Sequence, residues 1–262
     1  MSLGRISRIP KRIGDDLKIL RMAENWKEIF SAKLKGTRLG AVRLRNGVVM
    51  RAPAAVDLNF LFHEIWIDEF YAPAGYEIRP GETVIDIGAN IGVFAAWAAT
   101  KAKGVTVYSF EPFPANAEYF QRNIEDSGLK NIRFRMAAVA DSDGTRTLHV
   151  EDSWILHSLT RKDSGEKGVE VEAVSLDSIM AEAGKCDLLK LDCEGGEYEI
   201  LYPASDETLA KIGRIVCEFN TTDGERQNGE GLRDFLRTKG FAIDELKQLD
   251  ATSGFICARR HD

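Results

Sequence analysis

The sequence predicts an α/β protein: a doubly wound, mainly parallel seven-stranded sheet with an antiparallel edge strand, preceded by an N-terminal helix and a hairpin. Three observations carry that expectation. From Gly81 onward, short apolar runs alternate with helix-patterned runs, the order expected of parallel strands joined by covering helices. The first run, "VIDIGANIGVF" at 84–94, passes from a buried strand through a glycine-rich turn into a helix. The last two, "FAIDEL" and "GFICARR", are joined by a short loop, which reverses one strand at the edge.

Composition narrows the class. The 262 residues suffice for one large α/β domain, or a medium one with an appendage. With 44% hydrophobic and 29% charged residues, the chain reads as a soluble globular protein. A net charge of −6 argues against nucleic acid as a partner, because phosphate binding needs clustered basic surface. Cys186, Cys193, Cys217 and Cys257 are far apart, three of them in strand-like runs, so reduced thiols and no zinc are expected. No run reaches the roughly 18 apolar residues of a membrane span. Arg5, Arg8, Lys11 and Arg12 precede no apolar core, so no secretory signal is expected and a cytoplasmic location is.

Residues 1–75 read as a lead-in on the acceptor side, and 76–262 as the main domain with an insertion at 140–175. Ile19, Met22, Trp26, Ile29, Phe30 and Leu34 recur at three- and four-residue steps, the spacing of one amphipathic helix. It would pack on the main domain or, being basic, lie on a membrane surface or partner. Asn46-Gly47 between alternating apolar residues signals a hairpin. "LNFLFHEIWIDEFYAPAGY" reads as a helix ending near Pro73 and Gly75. Strands follow in "TVIDIGA", "VTVYSFEP" and "IRFRMAAVA", with helices in "GVFAAWAATKAK" and in "PANAEYFQRNIEDSG", which Gly128 closes. "TRTLHVED" and "VEVEAVSL" are extended segments around a polar loop. "LDSIMAEAG", "GGEYEILY" and "EGLRDFLRTKG" read as helices between the strands "CDLLKLDC", "RIVCEFN" and the closing pair.

The glycine turn is expected to bring its backbone close to a ligand (a phosphate, a dinucleotide or S-adenosylmethionine), since Gly88 and Gly92 leave room that side chains would fill. A phosphate loop is ruled out because no GxxxxGK[ST] occurs. The dinucleotide fingerprint fails at its middle glycine, where Asn90 stands. Asp86 adds negative charge beside the turn, which suits a cationic amino-acid ligand better than a phosphate. Glu111, at the end of the next strand, can accept hydrogen bonds from ribose hydroxyls. NAD would use such a carboxylate too, but Asp86 and Asn90 favour S-adenosyl-L-methionine.

At "VIDIGANIGVF", "FEPFPANAEYFQRNI", "VSLDSI", "LLKLDCEGGEYEIL" and "IVCEF", in that order, the chain resembles class I, Rossmann-like methyltransferases and, more narrowly, the FkbM family. The resemblance spans roughly residues 60 to 250 and implies S-adenosylmethionine-dependent O-methylation of sugar or secondary-metabolite hydroxyls. It implies that Asp86, Gly88, Ala89, Asn90 and Gly92 surround the methionine half. Glu111 and Pro112 would meet the ribose, and Ala137 and Ala138 would border adenine. The acidic residue common at the third strand's end is absent here, Asp141 being the nearest carboxylate.

Methyl transfer is an in-line displacement, and alignment alone can lower its barrier by roughly 7–11 kcal/mol. A hydroxyl acceptor must also lose its proton. In "LLKLDCEGGEYEIL", strand alternation puts Lys190 and Asp192 on one face, at the end where parallel sheets open their crevice. Asp192 and Glu194 are therefore candidate proton acceptors, and Asp192 a candidate cofactor contact. Glu197 reads as a helix-dipole complement. His63 and His157 are further candidates, each with an ordinary structural alternative. "DCE" could hold a divalent ion, but no third ligand is evident and no metal is assigned. An NAD-dependent oxidoreductase and a non-catalytic cofactor-binding module remain the alternatives. Acceptor identity is expected to lie in 35–75 and 145–168.

Overall fold

The computed structural model describes residues 8–150, 157–158 and 168–260. Two helices come first, α1 (Arg8–Met22) and α2 (Trp26–Lys35). The single helix expected across 19–34 is broken between them. There Ala23 bridges to Leu44, and Asn25 Oδ1 accepts from the Arg43 N–H. Ile19 and Ile29 are buried as the spacing predicts, whereas Leu34 is 88% exposed. The hairpin forms from β1 (Ala41–Arg43) and β2 (Val49–Arg51), with Gly47 supplying the left-handed turn residue.

Asp57 then caps α3 (Leu58–Phe62) by accepting from the Phe60 N–H. The helix continues as a π-helical turn, His63–Ile67, and stops there, short of the expected end near Pro73. Left-handed Glu69, at φ 51°, turns the chain out of the helix.

The main sheet has the order β12-β13-β11-β10-β3-β4-β5. Its strands are β3 (Thr83–Ile87), β4 (Thr106–Phe110), β5 (Ile132–Arg135), β10 (Cys186–Asp192), β11 (Ile212–Asn220), β12 (Phe241–Gln248) and β13 (Ser253–Arg260). All pairings from β11 to β5 are parallel. β13 runs antiparallel to both neighbours, so the reversal enters one place in from the edge. The connecting helices are α4 (Val93–Lys101), α5 (Pro114–Ser127), α6 (Leu176–Ala183), α7 (Glu197–Leu201), α8 (Asp206–Ala210) and α9 (Gly229–Thr238); α8, five residues long, was not anticipated.

"IRFRMAAVA" does not make one strand. The Ala137 N–H turns back to the Arg135 carbonyl at 3.0 Å and ends β5. Beyond that break β6 (Ala138–Ala140) joins a second sheet with β7 (Gly144–Val150), β8 (His157–Ser158) and β9 (Gly168–Ser175), in the order β6-β9-β7-β8. The extended segments of the insertion are thus β7 and β9. Much of its polar loop lies outside the described residues.

Both faces of the main sheet are covered. Leu188 and Val216 pack on one side with α4, the hairpin and the segments before β3. Leu189, Leu191, Ile215 and Cys217 pack on the other with α6, α7 and α9. The hairpin is fastened to α5 by Asn123, whose Oδ1 accepts from the Arg51 N–H at 2.8 Å. Its Nδ2 donates to the carbonyls of Arg51 and Ile91, at 3.0 and 2.9 Å. Among the described residues no helix is long and apolar enough to cross a membrane.

Candidate active site

A cavity of about 240 Å³ opens at the C-terminal ends of β3, β4, β10 and β11, the crevice side of a parallel sheet. Gly88, Asn90, Glu111, Pro112, Ala137, Ala138, Asp192 and Glu194, all expected at the site, line it. Phe60, Leu61, Glu64 and Tyr71 close it from the segment before β3, and Glu218 from β11.

The glycine turn is built by the chain around it. Gly88, Asn90 and Gly92 all have left-handed φ values, of 76°, 49° and 86°. A Cβ on Gly88 would stand 1.8 Å from the Asp192 carbonyl oxygen, and one on Gly92 2.8 Å from the Phe120 ring. At both glycines a side chain would collide with the protein itself. The Gly88 and Ala89 N–H groups both donate to the Phe110 carbonyl, at 3.1 and 3.0 Å. Ala89 and Gly92 lie behind the cavity wall, as supports of the turn rather than lining.

Asp86 also lies behind the wall and is fully buried. It pairs in register with Lys190 on β10, whose Nζ lies 3.2 Å from Asp86 Oδ1. That ammonium donates to the Gly88 carbonyl at 2.8 Å and lies 3.7 Å from Asp192 Oδ2. Lys190 is thus no solvated strand-end charge: only 3% of it is exposed. Burial works to lower its pKa, but the Asp86 and Asp192 carboxylates outweigh burial and hold the lysine charged. Asp86 is therefore neutralised by this cation, and what meets the turn is the ammonium itself.

Glu111 stands at the end of β4 with 6% exposure. Its Oε2 accepts from the Asn90 N–H at 2.9 Å; Oε1 accepts from the Phe113 N–H at 3.0 Å and Asn116 Nδ2 at 3.3 Å. A carboxylate offers about four acceptor positions, so roughly one is left, on Oε2. Beside it, buried Asn116 lines the cavity, and its Oδ1 has no partner among the described residues. Two free acceptors side by side fit the two hydroxyls of a ribose, so the residues present suit a nucleoside cofactor.

The opposite wall is acidic. Asp192 and Glu218 are register partners on β10 and β11. The Tyr71 hydroxyl donates to Asp192 Oδ2 at 2.9 Å and lies 3.4 Å from Glu218 Oε2. Burial, with Asp192 next, pushes the Glu218 carboxyl up to about 8. Burial and then Asp192 push Glu64 up to about 7. Glu194 adopts φ 52° and accepts from Asn220 Nδ2 at 3.2 Å.

Glu197 is no surface dipole complement. It is fully buried, and its Oε1 accepts from the Cys193 and Gly195 N–H groups at 2.9 and 3.1 Å, fixing the turn that carries Glu194. His63 does not line the cavity. It responds to Lys33, Asp15 and Asp16 of the first two helices, and burial lowers its pKa. His157 pairs through its backbone with Val150, and its side chain lies outside the described residues. Among the described residues no three His, Cys, Asp or Glu side chains are grouped to hold a metal. Sequence reasoning missed Glu64, Tyr71, Asn116 and Glu218 as cavity residues, and Lys190 as the buried cation.

A sheet of this order is that of the class I, Rossmann-like methyltransferase fold, and its cavity at the ends of β3 and β4 suits a nucleoside. Residues 86–243 match the methyltransferase FkbM domain, more than half of the chain, which therefore belongs to that family. The protein is an S-adenosyl-L-methionine-dependent enzyme, and the NAD-dependent and non-catalytic alternatives fall away. It is 29% identical over 234 residues to 31-O-demethyl-FK506 methyltransferase FkbM of Streptomyces tacrolimicus, covering 77% of this chain and 88% of that one. It is 28% identical over 215 residues to Methyltransferase 1 of Beauveria bassiana, covering 73% and 84%. Magnesium protoporphyrin IX methyltransferase from Synechocystis, solved with bound SAM, aligns with a TM-score of 0.41 at 15% identity, over 70% of this chain and 71% of that one.

Proposed function

We propose that the protein transfers the methyl group of S-adenosyl-L-methionine to a hydroxyl of a sugar or secondary metabolite. The acidic wall carries this reading: half-buried carboxylates line the cavity, where a hydroxyl acceptor needs a group to take its proton. The Streptomyces relative, named for 31-O-demethyl-FK506, supports an oxygen acceptor on a small molecule. Exposed Phe60 and half-buried Leu61 at the cavity give such a molecule apolar surface to rest on.

When bound, the cofactor supplies a methyl group activated by a sulfonium. Glu111 and Asn116 would hold its ribose, Ala137 and Ala138 would border the adenine, and Gly88 and Asn90 would flank the methionine half. Asp192, fixed by Tyr71 and neighboured by Lys190, would orient the acceptor hydroxyl or keep negative charge beside the sulfonium. Glu194 borders the same space.

Transfer of labelled methyl to a panel of sugars and hydroxylated macrolactones, against matched amines and RNA, tests the reading. Product on a hydroxyl is expected. Product confined to amines or RNA would overturn it.

A further inference from the structure

We propose that Glu64 is the general base of the reaction, an assignment that rests on the O-methylation reading above. The observation behind it is how the cavity carboxylates are committed. Glu111 already accepts three hydrogen bonds. Asp192 is held by the Tyr71 hydroxyl and neighboured by Lys190, and Glu194 accepts from Asn220. Glu218 shares the Tyr71 hydroxyl. Glu64 lines the same cavity, and no hydrogen bond to its side chain occurs among the described residues. It is half-buried, with Leu61 and Phe60 beside it on the same lining. An acceptor hydroxyl entering over those apolar groups meets a carboxylate with every lone pair free.

The backbone sets this up. Glu64 lies in the π-helical turn His63–Ile67, which follows directly on α3. A π-turn admits one more residue per turn than an α-helix and so rotates the side chains within it; such turns concentrate at functional sites. Here His63 is left facing the charges of α1 and α2, while Glu64 lines the cavity.

The charges around Glu64 suit a base working near neutrality. It faces Asp192 and Lys190 from β10, Glu218 from β11, and Asp68 from its own segment. Burial and Asp192 favour its protonated form, and Lys190 opposes them. The result is a carboxyl at about 7, strong enough to accept a proton and acidic enough to be ionised at working pH. Tyr71, whose pKa burial drives far above that of a free phenol, stays a donor throughout.

In the step, the acceptor O–H bond breaks and its proton passes to a Glu64 oxygen. The electron pair freed on the acceptor oxygen forms the new bond to the methyl carbon. The methyl–sulfur bond breaks with its pair going to sulfur, leaving a neutral thioether. Glu64 then returns the proton to solvent.

The test compares wild type, Glu64→Gln, Glu64→Asp and Glu218→Gln, using an acceptor methylated in the panel above and S-adenosylhomocysteine as the binding probe. Glu64→Gln should bind the probe like wild type by calorimetry, yet lose roughly 100-fold or more in kcat and the rise in rate through about pH 7. Glu64→Asp should recover part of the rate and keep the rise. Glu64→Gln turnover within about threefold of wild type, with the pH rise intact, overturns the proposal. Wild-type silence toward every hydroxyl counts against the O-methylation reading instead, and a second measurement then decides Glu64. In protein carrying 13C-carboxyl glutamate, a resonance titrating near 7 and missing from Glu64→Gln supports the assignment. A Glu64 resonance titrating near the ordinary value of about 4.3 overturns it.

Discussion

Two glutamates lining one cavity are built for different work. Glu111 is nearly sealed and accepts from two backbone N–H groups and an asparagine amide. Burial pushes its pKa up, and those donors oppose the shift. Glu64 is less buried, has no hydrogen-bond donor among the described residues, and faces a second carboxylate in Asp192. A carboxylate surrounded by donors is a fixed acceptor that binds; one left bare among like charges is a carboxyl that exchanges protons. Burial pushes both carboxyls up; at Glu111 the donors oppose it, whereas at Glu64 the charge of Asp192 adds to it. Lys190 stands between them, pairing with Asp86 under the glycine turn and neighbouring Asp192 on the acidic wall.

The comparison breaks most severely at that lysine. Lys190→Ala would leave Asp86 buried without a counter-charge, and a loss of about 3–5 kcal/mol is expected in urea unfolding. The double variant Lys190→Met/Asp86→Asn should recover most of it. Failure of that recovery would mean the lysine acts chiefly through the Gly88 carbonyl. Next in size, Glu111→Ala should weaken S-adenosylhomocysteine binding by roughly 1.5–3 kcal/mol, and Asn116→Ala by roughly 0.5–1.5 kcal/mol. Calorimetry with ribose-deoxy analogues sharpens this: Asn116→Ala should lose discrimination against one deoxy position only. Equal discrimination at both positions would remove Asn116 from the ribose.

A further expected effect is on stability against pH. Glu64, Glu197 and Glu218 titrate at about 7, 7 and 8 in the folded protein, against about 4.3 in the unfolded chain. Between those limits the folded state holds more protons, so stability is fullest at the acid end of that window and falls as pH rises toward 8. A falling thermal midpoint from pH 5 to 8, made shallower by Glu218→Gln, is the expected result. A midpoint rising across that window would show the acidic wall to be ionised and well compensated.

What the sequence disclosed depended on how local the signal was. The parallel order, the Asn46-Gly47 hairpin and Glu111 at a strand end each follow from a few adjacent residues. Gly88 was legible as a tight approach, but its partner, the Asp192 carbonyl, is brought in by sheet pairing 104 positions later. Lys190 and Asp86 face one another only because β10 pairs with β3, an order not written into either strand. Glu64 depends on a π-turn, which interrupts the helical period that sequence patterns assume. His63, one residue earlier, was a candidate and does not line the cavity. The break after Arg135 rests on one backbone turn at Ala137, within a run of uniformly strand-like residues.

Asn123 has a consequence for how tightly a ligand can bind. Its side chain grips the hairpin backbone at Arg51 and the glycine turn at Ile91 with three hydrogen bonds. The hairpin, none of whose residues lines the cavity, thus helps to hold the turn's shape. The conformational entropy of ordering that loop is lost when the chain folds, not when a ligand arrives. Mutations in the hairpin that leave the protein folded would then appear first as weaker binding, with the cavity lining itself unchanged.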